Sequence, residues 1–293
     1  MAVQPGSTDT AATLSCAGRN LNLSHPRIMG VLNITPDSFS DGGNLFSRGA
    51  VDLGGVVDVA QGMLEEGAAI IDVGGESTRP GAAPVSASEE CRRVMPVIER
   101  LLELDTIVSV DTSKPEVARA ALAMGSHMIN DVCGLREQEM LESLGAGDAA
   151  VCIMHMRGEP RSMQDDPQYA DVVGEVRDFL AERVSACHAA GIDAERLLVD
   201  PGIGFGKTLE HNLALLRNLS ALKVAGLPLL VGVSRKRMIG TITGRDVTNR
   251  MVGSAVAAAL VAQQGADIVR VHDVAATADA LKMVQAWNAE EGT

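Results

Sequence analysis

Polar residues recur in this chain where a short aliphatic run gives way to glycine, proline or hydroxyl residues. Asn33 follows "IMGVL", Asp111 ends "IVSVD", Asn130 and Asp131 end "MIND", His155 follows "AVCIM", and Asp200 ends "LLVD". Thr78 and Arg79 follow "DVGGES", Ser234, Arg235 and Lys236 follow "LLVGV", and Arg270 and His272 lie in "DIVRVHDV". Taken singly, a strand-end Asp or Ser is most often a helix cap, and a lone His is most often structural. Eight such positions at the same end of eight strands instead suggest one polar site. Two glycine-rich stretches favour a small ligand. "DVGGESTRPGA" (72–82) is a flexible loop carrying the cation Arg79, and "DPGIGFGKT" (200–208) lets backbone approach a flat molecule beside Phe205. The second is not a phosphate-binding P-loop, because that pattern needs glycine at 201 and Pro201 stands there. No Ser–His–Asp set or acid/base carboxylate pair is evident.

The elements that must position these groups are β-branched runs at 28–35, 68–75, 107–113, 128–134, 150–156, 197–204, 229–235 and 267–274. Near-continuous apolar runs indicate strands buried on both faces, as in parallel sheets. Amphipathic helices are expected between them, for example over 54–67, 114–125, 169–191 and 253–266. They are punctuated by Ser113 before Lys114-Pro115 and by Gly67, Gly125, Gly191 and Gly265. Eight β–α pairs in roughly 250 residues match a single-domain α/β fold, the (β/α)8 TIM barrel, over 28–293. A doubly wound open sheet is the second choice. Residues 1–27 show no strong period and are expected to be a loosely structured arm that closes the barrel's bottom. In such a barrel the C-terminal strand ends share one face, where active sites form.

The bulk properties narrow the function. Of 293 residues 46% are hydrophobic and only 2% aromatic, so aliphatic side chains must fill a large core. A net charge of −13 disfavours nucleic acid, which needs a basic face. No apolar run is long enough to span a membrane and no secretion signal is evident, so a cytoplasmic protein is expected. Five scattered cysteines without a CxxC pair argue against disulfides and structural zinc.

Eight segments, in order, give the chain a specific resemblance: "MGVLNITPDSFSDGG", "IIDVGGESTRPGA", "VSVDTSKPEVARAAL", "INDVCGL", "MHMRGEPRSMQ", "DPGIGFGKT", "LLVGVSRKRMIG" and "VRVHDV". Together they resemble the dihydropteroate synthases of folate biosynthesis from about Ile28 to Val284. The resemblance implies a transferase that joins 6-hydroxymethyl-7,8-dihydropterin pyrophosphate to p-aminobenzoate. It releases pyrophosphate and forms 7,8-dihydropteroate with Mg2+, and sulfonamides compete for the p-aminobenzoate site. By similarity Asp111, Asn130 and Asp200 form the pterin wall, with Lys236 donating to the ring carbonyl and Arg270 stacking near the ring. Asn33 is the implied Mg2+ ligand and, with Thr78, Arg270 and His272, holds pyrophosphate. Phe39, Arg79, Pro80, Phe205, Lys236 and Arg237 line the p-aminobenzoate pocket. Loops 35–47 and 75–88 are expected to act as lids, with Asp41 offsetting positive charge on a pterin cation that forms as pyrophosphate leaves.

Arg237 departs from the serine some family members carry there. The p-aminobenzoate carboxylate is then expected to use backbone N–H groups at the next helix start, with Ser234 nearby. A homodimer is also implied, the helix with small residues from Gly253 to Ala262 offering a close-packing face. Two alternatives share the pterin wall. A methyltetrahydrofolate-binding corrinoid methyltransferase has no need of the pyrophosphate cradle. A non-catalytic pterin-binding paralogue should have lost some of these side chains, and all are intact.

Overall fold

The structure is a computed structural model that describes residues 13–35, 46–47, 50–77, 82–159 and 162–289. After a hairpin of β1 (Thr13–Cys16) and β2 (Arg19–Asn22) comes the first barrel strand, β3 (Arg27–Asn33). A second hairpin, β4 (Phe46–Ser47) with β5 (Ala50–Val51), lies between β3 and helix α1 (Leu53–Glu65). The chain then alternates through β6 (Ile70–Gly74), α2 (Ala87–Leu101), β7 (Ile107–Asp111), α3 (Pro115–Met124), β8 (Met128–Asp131) and α4 (Gln138–Gly145). It continues through β9 (Ala150–Met154), α5 (Val172–Ala189), β10 (Leu197–Asp200), α6 (Leu209–Arg217) and β11 (Leu230–Gly232). The last elements are α7 (Arg237–Thr243), α8 (Met251–Gln263), β12 (Ile268–Val271) and α9 (Val274–Asn288).

All eight expected strands are present and pair in parallel in the order β10-β9-β8-β7-β6-β3-β12-β11. The two ends meet through a parallel bridge between Val199 and Leu229, with the Val199 N–H donating to the Pro228 carbonyl at 2.9 Å. That contact closes the sheet into a barrel and removes the open-sheet alternative. The period of two along a strand sorts its side chains. On β6, Ile71 and Val73 pack outward among the helices, while Ile70, Asp72 and Gly74 form the inner row. Inner rows are aliphatic at the N-terminal end of the barrel and polar at the C-terminal end, a gradient already visible as "strand, then polar residue" in the sequence.

The N-terminal end carries the main departure from expectation. Residues 13–22 are not a loose arm but an ordered antiparallel hairpin in the register Thr13↔Asn22 to Cys16↔Arg19. Its Leu14, Cys16 and Leu21, with Leu23, pack on Met29, Ile70, Ile107, Met128, Ala150, Leu198, Leu230 and Ile268. The hairpin therefore stoppers the barrel floor with apolar side chains, as eight inward aliphatics left facing water would require.

Helix ends follow local chemistry. Ser86 caps α2 by accepting from the Glu89 N–H, and Thr208 caps α6 by accepting from that of His211. Gly125 ends α3 in the left-handed conformation expected of its place. Ser113 is not a cap, because α3 starts at Pro115 behind Lys114.

Candidate active site

At the C-terminal mouth, two inner-row carboxylates, one amide and one guanidinium form a single network. Asp72 is wholly buried one row below the mouth. Its Oδ2 accepts from Arg270 Nε at 2.6 Å and from Asn130 Nδ2 at 3.2 Å. Arg270 reaches across the barrel with its other branch, Nη2 donating to Asp111 Oδ2 at 2.7 Å. Two carboxylates thus fix the plane of one guanidinium, the fork geometry that suits Arg rather than Lys. Burial pushes the Asp111 carboxyl up to about 7, against the pull of Arg270.

The wall has a common design. Asn130 gives its amide NH2 to the acceptor-only Asp72, which fixes the amide's orientation and leaves Asn130 Oδ1 buried without a partner. Asp111 spends Oδ2 on Arg270, and Asp200 spends Oδ1 on the Gly202 N–H at 2.7 Å. Each residue keeps one acceptor oxygen for something else. Asp131, the neighbour of Asn130, instead faces the chain and accepts from the Cys133 and Leu135 N–H groups, both at 2.8 Å. It is a loop cap, the ordinary role for a strand-end Asp.

Lys236 stands at the N-cap of α7. Its Nζ donates to the Ile203 carbonyl and lies 4.7 Å from the Phe205 ring centroid. Burial lowers its pKa to about 8, while Asp200 works in the opposite direction. Burial likewise raises the Asp200 carboxyl, opposed by Lys236. Phe205 also borders an apolar cluster of Val132, Met154, Met156 and Met163. The mouth thus joins an acceptor wall, a cation and an apolar, sulfur-rich flank, which together suit a flat polar heterocycle.

Other expected residues are placed less centrally. His272 Nδ1 and the Ser234 hydroxyl are 3.0 Å apart at the ends of β12 and β11. Arg235 is turned away from the mouth into an ion pair with Asp273. Arg237 is exposed at the first turn of α7. Phe39, Asp41, Thr78, Arg79 and Pro80 lie outside the described residues. So do most of loop 35–47 and the tip of loop 75–88.

Asn33 ends β3 directly across from Gly74 of β6. A Cβ on Gly74 would sit 3.7 Å from Asn33 Oδ1 and 3.8 Å from Asp111 Oδ2, so two oxygens border a space left open by a hydrogen side chain. Among the described residues no cluster of three or more His, Cys, Asp or Glu could hold a metal. A lone amide oxygen still fits Mg2+, which keeps waters and draws its other ligands from a substrate phosphate.

Two site residues escape a reading by sequence. Asp72 sits inside an aliphatic run rather than at its end, and its partner Arg270 is 198 positions away. Lys207 appears only in a rejected P-loop pattern, yet it is buried, its Nζ 2.9 Å from Nδ1 of His155. His155 is therefore committed to Lys207 and not to a ligand.

Comparison with known proteins agrees with this geometry. A family model described as "Pterin binding enzyme" matches residues 29–272. The dihydropteroate synthase of Escherichia coli strain K12 is 49% identical over 274 residues, covering 93% of this chain and 95% of that protein. A Yersinia pestis dihydropteroate synthase solved with a sulfonamide drug superposes with a TM-score of 0.89 at 47% identity, covering 94% of this chain and 98% of that one. A Xanthomonas albilineans dihydropteroate synthase solved with 4-aminobenzoic acid gives 0.88 at 50% identity, covering 96% and 100%.

Proposed function

Because this chain belongs to the dihydropteroate synthase family of pterin-binding enzymes, we propose that it joins 6-hydroxymethyl-7,8-dihydropterin pyrophosphate to p-aminobenzoate, giving 7,8-dihydropteroate and pyrophosphate. The observation that carries this reading is the uncommitted acceptor on each of Asp111, Asn130 and Asp200. A pterin edge presents an amino group and a ring N–H beside a carbonyl. The acceptors match the donors, and Lys236 matches the carbonyl.

The chemistry then needs charge handling more than proton transfer. The nucleophile is a neutral aryl amine, so no strong base is required. Departure of pyrophosphate needs cations and donors held in place beforehand. Arg270 has two nitrogens tied to Asp72 and Asp111, which leaves Nη1 for phosphate. His272 and Thr78 complete the proposed cradle. Asn33 would hold Mg2+, which supplies charge neutralisation to the pyrophosphate when bound. A developing pterin cation would be stabilised by Asp111 and Asp200, with Asp41 added from its loop. Phe205, Phe39, Arg79, Pro80, Lys236 and Arg237 are proposed to line the p-aminobenzoate pocket, which sulfonamides would contest.

We also propose a homodimer built on α8 and α9. Val252, Val256 and Leu260 repeat every fourth residue along α8 and are 69%, 55% and 57% exposed, and Met283 and Trp287 of α9 are 69% and 81% exposed. A contiguous apolar stripe of this kind suits a self-complementary two-fold contact. Its chemistry differs from the small-residue face expected, because Gly253 packs against Ile239 of α7 in the same chain. No helix among the described residues is long and apolar enough to cross a membrane, and all five cysteines are unpaired, which supports a cytoplasmic location.

The reaction is tested by mixing purified protein with the pterin pyrophosphate and Mg2+, adding p-aminobenzoate, and following pyrophosphate. Release that depends on p-aminobenzoate and is blocked by a sulfonamide supports the proposal. Release no faster than that of Lys236→Ala refutes it.

A further inference from the structure

Five consecutive carbonyls in the loop after β10 each accept a hydrogen bond from a side chain. Lys207 Nζ donates to the Gly202 and Phe205 carbonyls, both at 2.9 Å. Lys236 Nζ donates to that of Ile203. Gln164 Nε2 donates to Gly204 at 2.5 Å and the Tyr169 hydroxyl to Gly206 at 2.9 Å. A loop whose carbonyls would ordinarily face water is thereby held from inside.

The conformation that permits this is left-handed at Gly202, Gly204 and Gly206, with φ of 65°, 84° and 60°. A side chain at Gly202 would collide with the His155 carbonyl, and one at Gly206 would lie 2.5 Å from that of Arg157. His155 Nδ1 lies 2.9 Å from the same Nζ, so Lys207 meets a polar partner in each of three directions. Lys207 is only 3% exposed and takes no part in the chemistry proposed above.

Resting on the proposed synthase reaction, we infer that Lys207 is a positioning residue that fixes loop 201–206 and so sets the p-aminobenzoate side of the site more than the pterin wall. The two sides have different supports. Asp111 and Asn130 belong to strands and are tied to Arg270 and Asp72 rather than to the loop, and Asp200 ends a strand and meets the loop only at the Gly202 N–H. Phe205 belongs to the loop itself, while Lys236, which serves both substrates in the proposed reaction, meets the loop only at the Ile203 carbonyl. Loosening the loop should therefore weaken p-aminobenzoate more than the pterin substrate, an effect that general destabilisation would not produce.

The test compares wild type, Lys207→Met, Tyr169→Phe and Gln164→Leu by backbone hydrogen exchange without substrates and by steady-state kinetics. In Lys207→Met, amides 203–206 should exchange at least about tenfold faster. KM for p-aminobenzoate should rise by about tenfold or more, while KM for the pterin pyrophosphate stays within about threefold. Tyr169→Phe and Gln164→Leu, each removing one donor, should change in the same direction by less. Should Lys207→Met fail to fold, these two decide the matter. Unchanged exchange and an unchanged p-aminobenzoate KM, or two KM values rising together, overturn the inference. Wild type without turnover counts against the synthase reading alone, because the exchange measurement still judges the loop.

Discussion

Removing Asp72 should both destabilise the protein and disorganise the proposed anion site. Asp72 touches no solvent, and its Oδ2 holds Arg270 and Asn130 together. Deleting one partner of a buried ion pair costs about 3–5 kcal/mol. Arg270 is 22% exposed on its side chain and keeps Asp111, which places Asp72→Ala at about 3 kcal/mol, the low end of that range. For a chain of this size that corresponds to a fall in Tm of about 6 °C. Asp72→Asn is the informative companion. Because both bonds go to the same oxygen, an amide can keep both while losing the charge. About 1 kcal/mol per bond separates charged from neutral hydrogen bonds, so this variant should lose about 2 kcal/mol.

Denaturant titration and calorimetry measure those losses, and calorimetric binding reads the site. In Asp72→Ala the guanidinium is held by Asp111 alone. Affinity for the pyrophosphate-bearing substrate should then fall further than affinity for a plain pterin. A stability loss under about 1 kcal/mol with both affinities unchanged would refute the claim that Asp72 organises the network.

Three further outcomes are expected. The profile of kcat/KM against pH should be a bell. Asp111 must be ionised to accept and is held up at about 7, so activity rises through that pH, and Lys236 must be protonated to donate and is held down at about 8, so activity falls above it. In Lys236→Arg the alkaline limb should move beyond the range of the assay, and a limb left in place would reassign it. Asn33→Ala should raise the Mg2+ concentration needed for turnover while sparing plain pterin binding; equal loss of both would make Asn33 a fold residue. Leu260→Glu on α8 should shift the species seen by sedimentation from dimer to monomer with little change in Tm, and an unaltered dimer would place the interface elsewhere.

The barrel was legible because parallel strands buried on both faces leave an unmistakable aliphatic run, and each run here ends in a polar residue. Asp111, Asn130 and Asp200 were legible as polar strand-end residues for the same reason, while their proposed role as a pterin wall came from the family resemblance. What could not be read depended on partners distant in sequence or on elements too short to show a period. Asp72 looks like part of a strand until Arg270 is brought across the barrel. Lys207 gains meaning only when three acceptors surround it. The floor hairpin has two four-residue strands, so its inward Leu14, Cys16 and Leu21 are too few to register as alternation.

The most direct test of the account is chromatographic detection of 7,8-dihydropteroate after one turnover, with protein in excess over the pterin pyrophosphate and with p-aminobenzoate and Mg2+ present. Wild type should convert the pterin to 7,8-dihydropteroate and release one pyrophosphate for each molecule formed, while Asp200→Ala and Lys236→Ala form little or none. Wild type that binds pterin yet yields no dihydropteroate, or either variant matching wild type, would contradict the claim that this barrel mouth joins the two substrates.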